Sequence, residues 1–191
     1  MSNQNSAFLG MISPHGCIDE ELHKKLKKIK LLISDVDGVL SDGKIYLTNN
    51  GDEIKSFNVR DGFGIVALRK YLNIEFAVIT GRSSKIVENR LKSLGSNYIF
   101  QGVTDKVPYI HELMQKLNLK AEEIAYIGDD VIDIPVFNEV GVSFCPKDSH
   151  FFVLNRADYI SHFDGGNGAV REVCDLILWA QDKLEAIGAS I

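Results

Sequence analysis

Long apolar runs are missing from these 191 residues, so no segment reaches the roughly 20 apolar residues that a membrane-crossing helix needs. Cysteine is scarce. Cys17, Cys145 and Cys174 are odd in number and far apart, which argues against a disulfide framework or a cysteine zinc site and fits reduced thiols in a cytoplasmic protein. Positive charge is in deficit, with 21 Lys and Arg against 26 Asp and Glu and a formal charge of −5, so nothing global draws the chain to nucleic acid. The one basic run, Lys24, Lys25, Lys27, Lys28 and Lys30, is interleaved with Leu22, Leu26 and Ile29. That pattern is an amphipathic helix whose lysines face water. His15, His23, His111, His150 and His162 form no H-x-x-x-H pair, and none is assigned a catalytic or metal-binding role. Repeats and low-complexity tracts are absent, and no basic stretch followed by an apolar one marks a secretory leader. Residues 1–17 are polar with scattered apolar positions and are expected to be poorly ordered, leaving 18–191 as a single domain.

What the chain does have is a series of short apolar runs that end in polar or acidic residues. Ile29-Lys30-Leu31-Leu32-Ile33-Ser34 leads into Asp35-Val36-Asp37-Gly38, a buried parallel strand emerging into a loop. Side chains at i and i+2 of an extended chain share a face, so Asp35 and Asp37 point into one space. Two carboxylates that close repel unless a cation lies between them or one is protonated. Phe76-Ala77-Val78-Ile79 ends in Thr80-Gly81-Arg82, and Ile124-Ala125-Tyr126-Ile127 ends in Gly128-Asp129-Asp130, with Asp133 one turn on. Lys106 opens a helix behind Thr104 and Asp105. Alternating strand and helix patterns predict an α/β fold with a doubly wound, mostly parallel, Rossmann-like sheet. Ligands of such sheets bind outside the carboxyl ends of the strands, where these four signals converge.

Asp35-x-Asp37-Gly38-Val39, Thr80-Gly81-Arg82, Lys106 and Gly128-Asp129-Asp130-x-x-Asp133, in that order, resemble the motif set of the haloacid dehalogenase superfamily. Asp37–Gly43, Phe57-Asn58-Val59-Arg60-Asp61-Gly62 and Gly168-Ala169-Val170-Arg171-Glu172-Val173 resemble one branch of it, the bacterial 3-deoxy-D-manno-octulosonate 8-phosphate (KDO 8-phosphate) phosphatases, over nearly the whole chain from about Ile18. The resemblance implies a Mg²⁺-dependent phosphatase of lipopolysaccharide biosynthesis. Asp35 is then the nucleophile that forms an aspartyl-phosphate. Asp37 is the acid and base for the leaving sugar oxygen and the incoming water. Asp35, Asp129 and the backbone carbonyl of Asp37 hold Mg²⁺, whose preference is for hard oxygen ligands. Thr80 and Gly81 donate hydrogen bonds to the phosphoryl oxygens, and Lys106 adds a fixed positive charge. Asp133 orients Lys106 or a water, and Asp130 is structural. Substrate contacts are expected at Asp37, Asn58, Val59, Arg60, Asp61, Gly62, Arg82, Arg90 and Lys106, the arginines pairing with the sugar's acid group. A nine-carbon sialic-type 9-phosphate is the rival substrate, and a non-catalytic oligomeric partner of a sugar-activating enzyme is the rival function.

The spacing leaves no room for a cap domain. Only the helix 84–94 and the strand 98–101 separate Arg82 from Lys106, and only a hairpin, strands 44–47 and 53–58 joined by Thr48–Asp52, follows Asp37. Asn50-Gly51 is a strong hairpin-turn signal. A lone hairpin is marginal and an open site is wet, so hairpins from several subunits are expected to roof one another's sites in a homo-oligomer; the family resemblance points to a tetramer. Gly165–Gly168 reads either as a plain break or as a loop presenting Arg171 to substrate. Val170, Val173, Ile177, Ala180 and Leu184 mark one amphipathic helix after it, followed by a tail, 187–191, that either frays or docks on a neighbour.

Overall fold

A computed structural model of the chain describes residues 10–188. The chain enters through an antiparallel hairpin of β1 (Gly10–Ser13) and β2 (Gly16–Asp19), paired from Gly10↔Asp19 to Ser13↔Gly16. This corrects the expectation of a poorly ordered start, at least for residues 10–17. Ile18 is buried and Met11 packs against the main core, so the scattered apolar residues have a surface to cover. The rest of that expectation, residues 1–9, lies outside the described residues. Asp19 then caps α1 (Glu20–Leu26) by accepting from the Leu22 amide at 2.6 Å, and Leu22 and Leu26 turn inward while the lysines face out.

Six strands make one parallel sheet: β3 (Leu31–Ser34), β6 (Glu75–Ile79), β7 (Tyr98–Phe100), β8 (Ile124–Ile127), β9 (Val142–Cys145) and β10 (Tyr159–Ile160). Their spatial order is β10-β9-β8-β3-β6-β7. Strand alternation sorts their side chains into two cores. Leu32, Phe76, Val78, Ala125 and Ile127 face α1, α2 (Val59–Leu72), α3 (Lys85–Ser93) and α7 (Ala169–Ala180). Leu31, Ile33, Ala77, Ile79 and Tyr126 face α4 (Val107–Leu117) and α5 (Ile134–Phe137), and the short α6 (Phe151–Leu154) lies between β9 and β10. Both faces of the strands are covered, which is why they read as unbroken apolar runs. From β3 the chain winds one way to β6 and β7, and β8 lies on the other side of β3. The gap between β3 and β8 is therefore the switch point at which open α/β sheets bind ligands.

The expected protrusion is present but short. β4 (Tyr46–Leu47) pairs with β5 (Glu53–Ile54), Tyr46 opposite Ile54, and no cap domain accompanies it among the described residues. Ile45, Leu47 and Ile54 are 58%, 67% and 56% exposed. At the other end, Asp182 has a positive φ of 58° and breaks the predicted C-terminal helix, so Leu184 belongs to a separate α8 (Leu184–Gly188). Ile187 is buried in α8; the last part of the predicted tail, 189–191, lies outside the described residues.

Candidate active site

Asp35 leaves β3 with its backbone amide still bonded to the Ile127 carbonyl of β8 at 3.0 Å, so the sheet itself aims the side chain. Its Oδ1 accepts from the Val36 amide at 2.6 Å, and its Oδ2 lies 2.7 Å from the Lys106 ammonium. Lys106, at the start of α4, is almost wholly buried and reaches a second carboxylate, Asp133 Oδ1, also at 2.7 Å. Asp133 is saturated. Its Oδ1 takes Lys106 and the Tyr126 hydroxyl, while its Oδ2 accepts the amides of Asp129 and Asp130 at 3.0 and 3.2 Å. Asp133 thus orients Lys106, as expected, and also fixes the backbone that carries Asp129. Asp130 caps the following turn through the Val131 amide.

A cleft of about 290 Å³ opens above these groups, lined by Asp35, Asp37, Gly38, Thr80, Gly81, Arg82, Asp129 and neighbours. Oxygens of Asp35, Asp129 and Asp133 all lie within 4.8 Å of one another. Burial, then the carboxylates of Asp133 and Asp35, push Asp129 up to about 8. Burial also pushes Asp35 up, against the pull of Lys106. Burial works against the Lys106 ammonium too, but Asp35 and Asp133 outweigh it and hold its pKa above the usual lysine range. With all three carboxylates ionised against one ammonium the site is two charges short of neutral, which a divalent cation would supply. The donors are hard oxygens, and the spare ones belong to Asp35 and Asp129, since Asp133 has used its own. The residues fit Mg²⁺.

Asp37 stands apart from this cluster, at the root of the hairpin. Its Oδ1 accepts from the Lys55 ammonium and its Oδ2 is 3.9 Å from Arg82 Nε. Arg82 Nη2 is held by Glu53 at 3.0 Å. Lys55, Glu53 and Tyr126 were not among the expected site residues. Tyr126 had a signal, as the one polar-tipped residue in an apolar strand two positions before Gly128. Lys55 and Glu53 had only the i, i+2 alternation of an ordinary hairpin strand, and nothing marked their partner.

The remaining expected contacts do not line this cleft. Asn58 caps α2, accepting from the Arg60 amide at 2.8 Å. Asp61 is buried and accepts from the Arg171 amide at 2.8 Å, capping α7. Gly62 is pressed against Arg90, whose Nη2 would lie 2.4 Å from an added Cβ. Arg90 packs beneath α2, beside Asn58 and Asp61. Val59 and Arg60 are exposed beside Phe63, Arg171 and α8. Arg171 pairs with Asp175 at 2.8 Å and stacks on Phe63. It is turned away from the cleft, and the glycine loop before it packs on the Gly38–Ser41 backbone.

The chain resembles known proteins along almost all its length. The model of the haloacid dehalogenase-like hydrolases matches residues 49–146. The 3-deoxy-D-manno-octulosonate 8-phosphate phosphatase of Salmonella typhimurium is 52% identical over 184 residues, spanning 95% of this chain and 94% of that protein. Its counterpart from Escherichia coli K12 is 51% identical over 189 residues, 98% of this chain and 100% of that one. The crystal structure of the Yersinia pestis phosphatase superposes with a TM-score of 0.90 at 48% identity, covering 92% and 95% of the two chains. That of the Moraxella catarrhalis phosphatase, in complex with a magnesium ion, a phosphate ion and KDO, gives 0.86 at 44% identity, covering 89% and 97%. This chain belongs to the haloacid dehalogenase-like hydrolases and, within them, to the 3-deoxy-D-manno-octulosonate 8-phosphate phosphatase family.

Proposed function

We propose that this chain is a Mg²⁺-dependent phosphatase that hydrolyses 3-deoxy-D-manno-octulosonate 8-phosphate to the free sugar acid and phosphate, in the cytoplasm, for lipopolysaccharide synthesis. The observation that carries the reading is the Asp35–Lys106–Asp133 ion-pair chain beside Asp129 and under the cleft. A binding module has no need of a buried carboxylate aimed at a cavity, held by a buried ammonium.

Asp35 attacks the phosphorus and becomes an aspartyl-phosphate, which splits one hard displacement into two easier ones. Asp37 gives a proton to the departing sugar oxygen and later takes one from the water that frees Asp35. Thr80, buried at the end of β6, and the Gly81 amide steady the phosphoryl oxygens. Lys106 holds its charge beside Asp35 throughout. Asp35, Asp129 and the backbone carbonyl of Asp37 would hold Mg²⁺, which when bound would offset the negative charge on the phosphoryl oxygens. Arg82, at the rim, suits the sugar's carboxylate. Arg60 and its neighbours at the start of α2 do not line this chain's own cleft and fit a contact to a neighbouring subunit's. The exposed apolar hairpin supports a homotetramer in which hairpins roof the clefts.

The test is phosphate release from a panel of eight- and nine-carbon sugar acid phosphates and neutral sugar phosphates, with and without Mg²⁺. Turnover of the eight-carbon substrate with metal is expected to lead. A preference for the nine-carbon 9-phosphate overturns the substrate assignment, and no release from any acidic sugar phosphate overturns the enzyme.

A further inference from the structure

One buried side chain ties the hairpin to the cleft. The Lys55 side chain is 3% exposed and its ammonium contacts Asp37 Oδ1. A buried ammonium persists only when paired, and a second carboxylate, Glu53, lies 3.8 Å from it. Glu53 holds Arg82 at 3.0 Å, and Arg82 Nε is 3.9 Å from the other oxygen of Asp37. Asp37, Lys55, Glu53 and Arg82 therefore form a closed ring of alternating charge. It joins the loop after β3, the far strand of the hairpin and the loop after β6.

The ring makes the two oxygens of Asp37 unlike. Oδ1 takes the Lys55 ammonium, with the Ser41 hydroxyl at 3.4 Å, while Oδ2 has, among the described residues, only a guanidinium nitrogen at 3.9 Å, beyond hydrogen-bond reach. A carboxyl group that must deliver a proton to a leaving oxygen works best with one oxygen anchored and the other free. We propose that Lys55 is a positioning residue for the phosphatase reaction, pinning Oδ1 so that Oδ2 faces the leaving oxygen. The inference rests on the acid–base role given to Asp37 above. As the bond from Asp35 to phosphorus forms, the bond from phosphorus to the sugar oxygen breaks and its electron pair stays on that oxygen. The O–H bond at Asp37 Oδ2 breaks, the proton passes to the sugar oxygen, and the charge left on Asp37 meets an ammonium already in place.

The rival is that Lys55 only fastens the hairpin, and leaving-group dependence separates the two. A sugar alkoxide needs a proton to depart, whereas 4-nitrophenolate does not. The full-length, Mg²⁺-loaded Lys55→Met enzyme is compared with wild type on the eight-carbon sugar acid phosphate and on 4-nitrophenyl phosphate, reading kcat/KM, which covers the steps up to loss of the leaving group. A loss of roughly 10²-fold on the sugar phosphate and less than about 3-fold on the aryl ester is expected. Lys55→Arg, which keeps the charge, is expected to recover at least about a tenth of wild-type kcat/KM on the sugar phosphate. Equal losses on both substrates, or no loss on the sugar phosphate, overturn the proposal. If Lys55→Met does not fold, Lys55→Arg carries the same comparison, with the larger loss again expected on the sugar phosphate and equal losses again fatal. A wild type that ignores sugar acid phosphates but cleaves the aryl ester overturns the substrate assignment instead; the comparison then uses whichever alkyl phosphate it accepts.

Discussion

Gly38 and Asp129 approach so closely that a Cβ on Gly38 would lie 2.0 Å from Asp129 Oδ2. Gly38 also has a φ of +84°, a region costly for any residue with a side chain. The loop after β3 can pass the end of β8 only because this residue is glycine. Gly38→Ala is expected to push the Asp129 carboxylate aside and lower Mg²⁺ affinity by roughly tenfold or more, with backbone strain of about 1–3 kcal/mol besides. Calorimetric titration with Mg²⁺ measures the first and urea unfolding the second. Unchanged metal affinity would show that Asp129 is not a ligand.

Asp35 is the proposed attacking group. Asp35→Asn is expected to keep the fold, since the amide still fits between Val36 and Lys106, and to lower kcat by several orders of magnitude. Circular dichroism checks the fold and phosphate release the rate. Retained activity would move the nucleophile elsewhere.

Asp133 makes no contact with the cleft but holds Lys106 and the amides of Asp129 and Asp130. Breaking a buried ion pair leaves charge and donors unpaired. Asp133→Ala is expected to lose about 3–5 kcal/mol in urea unfolding, along with most activity. A variant of native stability would mean that water replaces these contacts.

Asp61 gives a pH signature. Burial, only partly offset by the Arg171 and Gly168 amides, raises its pKa to about 6 from the ordinary 3.8. Folding therefore takes up a proton between those values. The resulting stability is fully present below about pH 4 and is lost as the pH rises through about 6, an effect of about 3 kcal/mol at most. Asp61→Asn removes that slope. Urea unfolding from pH 4 to 8 should show the variant gaining on wild type as pH rises; parallel curves would mean that Asp61 titrates normally.

Much of the cleft was legible because strand ends in a doubly covered parallel sheet are abrupt. The strand stops and the functional carboxylate follows within two residues, Asp35 directly after Ser34 and Asp129 one glycine after Ile127. What escaped were residues whose partners arise only from tertiary folding. Lys55 looks like an ordinary hairpin lysine until the hairpin lies over Asp37. The Asn58–Gly62 run has a second role that its motif did not reveal. Within one chain Asn58 and Asp61 are helix caps and Gly62 makes room for Arg90, while the substrate contact proposed for the run belongs to a neighbouring subunit's cleft. The N-terminal hairpin was missed because Met11 and Ile18 are too sparse for a strand pattern. They are ordered by the core surface they cover.

The hairpin carries the last prediction. Ile45, Leu47 and Ile54 are exposed on a two-stranded ribbon that cannot be stable alone. Exposed apolar residues on such a ribbon mark a protein interface. Light scattering of the wild type is expected to give a mass near four times the chain's 21.3 kDa. Introducing Ile45→Asp with Leu47→Asp places charges where the neighbouring hairpin must pack, and the assembly should fall to dimers or monomers. Activity on the sugar acid phosphate should fall with it, because each cleft loses its roof, while Mg²⁺ binding should survive, since every ligand lies within one chain. A monomeric wild type, or a double variant that stays tetrameric, would remove the hairpin from the interface and return the cleft to a single subunit.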